Sequence, residues 1–194
     1  MIVIAAKCCE SDRETLHKTA HILGDELLYA ADKHNIKLSV SKNGRPITND
    51  DSCDISFSHS GFLAVAALFL ADGEMCVNIT NCDFFKKYDI SAERIGVDAE
   101  LINELKPIEN IKSIAERYFL PNENLYLNES DSTSEFYKRF YFVWTRKESI
   151  CKMTGEGLSG FSKADALCDA EYQIITEIIT LNKECYALSI CAGK

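Results

Sequence analysis

Apolar positions along the chain recur in two rhythms, and their order predicts a strand, a helix and further strands, twice over. An apolar run at residues 2–6 predicts a first strand. Behind it Leu16, Ala20, Leu23, Leu27 and Ala30 recur at helical spacing. Ser11-Asp12-Arg13-Glu14 has the S-x-x-E form of a capping box, so a helix is expected from there to residue 33. Strand-like runs follow at 36–41, 54–58, 62–71 and 74–79, with turn signals at Asn43-Gly44, Pro46, Ser60-Gly61 and Asp72-Gly73. A second series opens with a strand over 93–99. Ile108 to Phe119 reads as a short amphipathic helix that Pro121 helps to stop, and residues 122–134 as a polar loop. A long helix is expected from Ser134 to Met153, ended by Gly155, and three strands near 164–168, 171–180 and 184–192 close the chain. The expected class is α+β, with two similar, pseudo-symmetric lobes, each a helix packed on a small antiparallel sheet. The lobes would span residues 1–88 and 89–194, with the boundary near 85–92.

Composition changes this picture little, but charge narrows the partners. With 194 residues, 46% of them hydrophobic, the chain is long enough to bury a core without disulfide staples. A net charge of -9 argues against a general nucleic-acid coat, which needs clustered cations, while leaving room for one local phosphate site. The longest apolar run, at 62–71, falls short of the roughly 18 residues that span a bilayer, and it reads as a buried strand. The start of the chain lacks the layout of a signal peptide, so a soluble, cytoplasmic protein is expected. Nine cysteines with no C-x-x-C pair read as reduced thiols filling the core in a reducing compartment.

Four segments could carry chemistry. Asp98 and Glu100 stand two apart on a predicted strand, so both carboxylates face one side. They read either as a solvated pair or as oxygen ligands for a hard divalent cation. Trp144, Glu148 and Lys152 share one helical face, open to a surface salt bridge or to an inward-facing functional pair. Ser58-His59-Ser60-Gly61 follows a strand and reads as a polar turn or as small donors for a phosphate. It lacks the G-x-S-x-G elbow of a hydrolase. Gly155-Glu156-Gly157-Leu158-Ser159-Gly160 fits G-x-G-x-x-G but ends a helix where a dinucleotide fingerprint would open one, which excludes a Rossmann site.

Taken together the segments resemble the two-lobed 4′-phosphopantetheinyl transferases. The resemblance rests on Ile95-Gly96-Val97-Asp98-Ala99-Glu100 and on Trp144-Thr145-Arg146-Lys147-Glu148-Ser149-Ile150-Cys151-Lys152, followed by Gly155-Glu156-Gly157-Leu158. Gly44-Arg45-Pro46, Ser58-His59-Ser60 and Leu23-Gly24-Asp25 are similar to further family segments. The resemblance implies transfer of 4′-phosphopantetheine from coenzyme A to a serine of an apo acyl or peptidyl carrier protein, at a site between the lobes of a monomer. It implies Mg²⁺, with Mn²⁺ as a substitute, held by Asp98, Glu100 and Glu148. Glu148, or a metal-bound water near it, would take the serine proton, and Lys152 would stabilise or protonate the leaving diphosphate. Arg45, Ser58 and His59 would contact the nucleotide's phosphates, and Lys147 a phosphate or the other lobe. The stretch ahead of Leu23 is shorter than in the larger family members, leaving His17, Lys18 and His21 near the coenzyme's 3′-phosphate. Carrier docking would use Ile111, Lys112, Ile114, Arg117, Tyr118, Leu125 and Tyr126, although the Ile and Tyr positions also suit a core stripe. A binding module without catalysis and a Mg²⁺-dependent phosphohydrolase are the alternatives.

Overall fold

The computed structural model describes every residue except 73, 74, 76–78, 80, 169, 171 and 194. Its first series is β1 (Ile2–Cys8), α1 (Arg13–Ala30), β2 (Leu38–Val40), β3 (Pro46–Thr48), β4 (Cys53–Ser60), β5 (Leu63–Leu70) and β6 (Phe84–Tyr88). The second is β7 (Arg94–Leu101), α2 (Ile108–Tyr118), α3 (Pro121–Asn128), α4 (Thr133–Thr154), α5 (Leu158–Phe161), β8 (Gln173–Leu181) and β9 (Glu184–Gly193). A four-stranded antiparallel sheet has the order β4-β5-β1-β6, and a three-stranded one the order β7-β9-β8. The protein is therefore α+β, with helices packed on antiparallel sheets.

Side-chain alternation builds the layers. Ile2, Ile4 and Ala6 of β1 and Leu63, Val65, Ala67 and Phe69 of β5 face Ile95, Val97 and Ala99 of β7 and Leu188, Ile190 and Ala192 of β9 in one core. The opposite face of the first sheet, with Val3, Ala5, Ala66 and Leu68, lies under Leu23 and Leu27 of α1. On the far side of the second sheet, Cys191 meets Ile150 and Met153 of α4. The order is thus helix, sheet, sheet, helix, and both sheets share the central core. β5, buried along its whole length, reads as a continuous apolar run because both of its faces are covered.

Several elements differ from the sequence expectation. The N-cap of α1 is Asp12, not Ser11: its carboxylate accepts from the Thr15 N–H at 2.9 Å. Pro121 opens α3 inside the expected loop, at a position where its missing N–H leaves no bond unmade. Pro46, a turn signal in the sequence, begins β3, which pairs with β2 in a two-stranded sheet. The expected boundary segment contains β6, hydrogen-bonded to β1. No strand forms at 164–168, and the strand expected at 74–79 falls largely outside the described residues. Among the described residues no helix is long and apolar enough to cross a membrane.

Candidate active site

The site lies where β4, the edge of the first sheet, meets β7, the edge of the second. An edge strand leaves every second N–H without a ladder partner. On β7 the N–H groups of Ile95, Val97, Ala99 and Leu101 donate to side chains of β4: Asp54 Oδ2 at 2.8 Å, Ser56 Oγ at 3.0 Å, and the Oγ atoms of Ser58 and Ser60 at 3.1 Å each. The period of two on both strands makes these bonds a ladder built from side chains.

Gly96 brings the long helix onto this seam. A Cβ at that position would overlap the carbonyl oxygen of Ser149 and the Met153 nitrogen, so only glycine lets α4 approach β7 so closely. The approach delivers Lys152. Its ammonium donates to Asp98 Oδ1 at 2.7 Å, to the Val97 carbonyl at 3.0 Å and to the Phe57 carbonyl at 3.2 Å. Asp98 Oδ1 also accepts from Ser58 Oγ at 2.8 Å, and Glu100 Oε2 accepts from Ser60 Oγ at 2.7 Å. Asp98 is buried, and its other oxygen, Oδ2, is buried with no hydrogen-bond partner among the described residues.

Electrostatics bring the third carboxylate into the same neighbourhood. Burial, and next the charge of Asp98, push the Glu100 carboxyl from an ordinary 4.5 up to about 7. The Glu148 carboxyl on α4 is raised by the same two causes, burial first and Asp98 second, with Lys152 opposing. The site thus holds more negative charge than one lysine relieves. The three carboxylates do not stand as a preassembled cage: among the described residues no group of three His, Cys, Asp or Glu side chains is placed to hold a metal ion. A cavity of about 670 Å³ opens elsewhere, beside Met1, Phe69, Lys87, Tyr88 and Ala92.

His59 follows Ser58 on β4 and meets α1. Its ring lies 6.4 Å from that of His17, which is 4.5 Å from that of His21. Burial lowers the His59 pKa, and the nearby Lys152, His17 and Arg13 lower it further, which favours the neutral ring.

Two expected phosphate contacts have other partners. Arg45 donates from Nε to the Lys152 carbonyl at 3.0 Å and from Nη1 to the Pro46 carbonyl at 3.2 Å, and its Nη2 pairs with Asp54. With Asn43, which donates to the Gly155 carbonyl at 2.9 Å, it ties the β2–β3 hairpin to the end of α4. Lys147 is fully buried inside the second series, donating to Glu123 at 2.8 Å and 3.0 Å and to the Ala164 carbonyl. It reaches neither solvent nor the first sheet, so the expected phosphate or interlobe role is corrected. A lysine paired this way holds α3, α4 and the loop after α5 together, since Glu123 also accepts from the Leu120 and Ala166 N–H groups. The sequence carried no signal for this pair beyond a glutamate three residues after the turn into α3. Of the expected docking residues, Ile111 is in the core, Ile114, Tyr118 and Tyr126 pack against it, and Leu125 is exposed.

A family model for the 4′-phosphopantetheinyl transferase superfamily matches residues 94–190, from the first residue of β7 to near the end of β9. The 4′-phosphopantetheinyl transferase ffp of Bacillus subtilis is 30% identical over 172 residues, covering 82% of this chain and 63% of its own. Sfp of Bacillus subtilis is 29% identical over 157 residues, covering 76% and 56%, and HetI of Nostoc sp. is 30% identical over 128 residues, covering 64% and 44%. The chain therefore spans less than two thirds of the length of these relatives. Because the matched half of the chain supplies Asp98, Glu100, Glu148 and Lys152 to one seam, fold and family coincide, and the chain belongs to the 4′-phosphopantetheinyl transferase superfamily.

Proposed function

We propose that this chain moves the 4′-phosphopantetheine group of coenzyme A onto a serine hydroxyl of an apo acyl or peptidyl carrier protein, releasing adenosine 3′,5′-bisphosphate. The observation that carries the reading is Asp98, buried at the seam with Lys152 and Ser58 on one oxygen and no partner among the described residues on the other. A divalent cation, Mg²⁺ or Mn²⁺, fits this donor set: hard cations take oxygen ligands, and the site offers a buried oxygen with no partner among the described residues, beside two carboxyls raised by burial and then by the charge of Asp98. Asp98, Glu100 and Glu148 would hold it, and when bound it would neutralise charge on the pyrophosphate.

The chain's own groups have separate tasks. Lys152, steered by two strand carbonyls and Asp98, presents a cation to the departing diphosphate. Glu148, on the α4 face beside Asp98, takes the proton of the attacking serine. His59, with His17 and Arg13 beside it, contacts phosphates of the nucleotide. The site is taken to lie between lobes at 1–88 and 89–194, since β4 on one side supplies Ser58, His59 and Ser60, and β7 and α4 on the other supply the carboxylates and Lys152.

The test is an intact-mass assay with coenzyme A, Mg²⁺ and a panel of apo carriers. Wild-type protein adds the pantetheine mass to at least one carrier, and Asp98→Ala and Glu148→Ala proteins add none. Coenzyme A binding without transfer to any carrier would instead support a binding module, and release of phosphate in the absence of carrier a phosphohydrolase.

A further inference from the structure

We propose that Ser58 and Ser60 are positioning residues that aim the Asp98 and Glu100 carboxylates, a role that rests on the cation site of the reading above. A serine hydroxyl carries one proton to give and two lone pairs to receive. Each serine on the β4 face of the seam receives the N–H of a β7 residue, which fixes where its oxygen sits and leaves its proton free to give. Ser58 takes the N–H of Ala99 and gives its proton to Asp98, one residue earlier. Ser60 takes the N–H of Leu101 and gives its proton to Glu100, again one residue earlier.

The third serine shows that the device is specific. Ser56 takes the N–H of Val97 at 3.0 Å, and the residue one earlier is Gly96, which has no side chain to receive a proton. Ser56 therefore only joins the sheets, whereas Ser58 and Ser60 join them and orient a carboxylate. Each of these two carboxylates is gripped by a single oxygen from the serine side, which leaves its second oxygen for another partner. On Asp98 that second oxygen is Oδ2, buried and without a partner among the described residues. A carboxylate held this way keeps one orientation, and groups that orient metal ligands typically change affinity by about 10–100-fold when removed. The expected phosphate contact at Ser58 is replaced here by a grip on Asp98, with its oxygen already engaged to backbone and carboxylate.

Ser56 supplies the internal control. Mn²⁺ is titrated into Ser56→Ala, Ser58→Ala, Ser60→Ala, Ser58→Thr and Ser60→Thr proteins with coenzyme A present, and bound ion is read by electron paramagnetic resonance. Urea unfolding and coenzyme A affinity are measured alongside. Ser56→Ala should lower stability and leave Mn²⁺ affinity at the wild-type value. Ser58→Ala and Ser60→Ala should weaken Mn²⁺ by about tenfold or more, and threonine, which keeps the hydroxyl, should restore it. The proposal is overturned if all three alanine variants bind Mn²⁺ alike, or if Ser58→Ala loses coenzyme A affinity with Mn²⁺ affinity intact. Wild-type protein that binds no Mn²⁺ overturns it too. The expected Mn²⁺ pattern in a protein that modifies no carrier would uphold the positioning role while removing the transferase reading.

Discussion

Glu100 gives the most direct test of the crowded carboxylates. It ionises at about 7 in the folded chain against an ordinary 4.5, chiefly through burial and then through Asp98. Between those two values the unfolded chain has released the proton and the folded chain still holds it. Stability therefore falls as pH rises from 4.5 to about 7 and stays low above that. At about 1.4 kcal/mol per pH unit the penalty reaches about 3 kcal/mol at pH 8 and about 1 kcal/mol at pH 5. Glutamine keeps an oxygen to accept from Ser60 and removes the charge. Glu100→Gln, with a chelator present, should then be more stable than wild type by about 3 kcal/mol at pH 8 but only about 1 kcal/mol at pH 5. For a chain of this size that is roughly 6–12 °C in Tm at the higher pH. Urea unfolding at both pH values measures the difference. A variant no more stable than wild type at pH 8, or a gain of equal size at both pH values, would refute the crowding argument.

The remaining predictions concern groups whose neighbours leave little room for change. Lys147→Met should cost about 3–5 kcal/mol by urea unfolding, because it leaves the fully buried Glu123 carboxylate without its cation. An unchanged unfolding midpoint with weakened coenzyme A binding would restore the phosphate role. Gly96→Ala, whose new methyl would collide with backbone of α4, should lose about 1–3 kcal/mol or more; a stable variant with wild-type unfolding would mean that the helix can retreat. Ser132→Ala removes the cap that accepts from the Glu135 N–H at 3.1 Å and should lower stability by about 1 kcal/mol. An unchanged denaturation curve would show that the Glu135 amide finds another acceptor.

What the sequence determined by itself follows from rules that act within one element. The long helix appeared almost in place, Thr133–Thr154 against 134–153, because a polar cap, an apolar stripe and a glycine at φ 77° all act within a few residues. The same holds for β7 and β9, whose apolar runs need only a covered face, and for the candidate Asp98, Glu100, Glu148 and Lys152, whose residue types and spacing could be read off the chain. Tertiary structure alone decided their partners. Ser58 and Ser60 reach carboxylates 40 residues away, and Lys152 reaches Asp98 across 54, so no local pattern announces these bonds. Lys147 sits next to Glu148 in the chain yet lies in a different environment. On a helix consecutive residues point about 100° apart, so one meets the seam and the other a buried glutamate from α3. Local periodicity fixes which face a side chain takes, and only the packing of the sheets and helices fixes what that face meets.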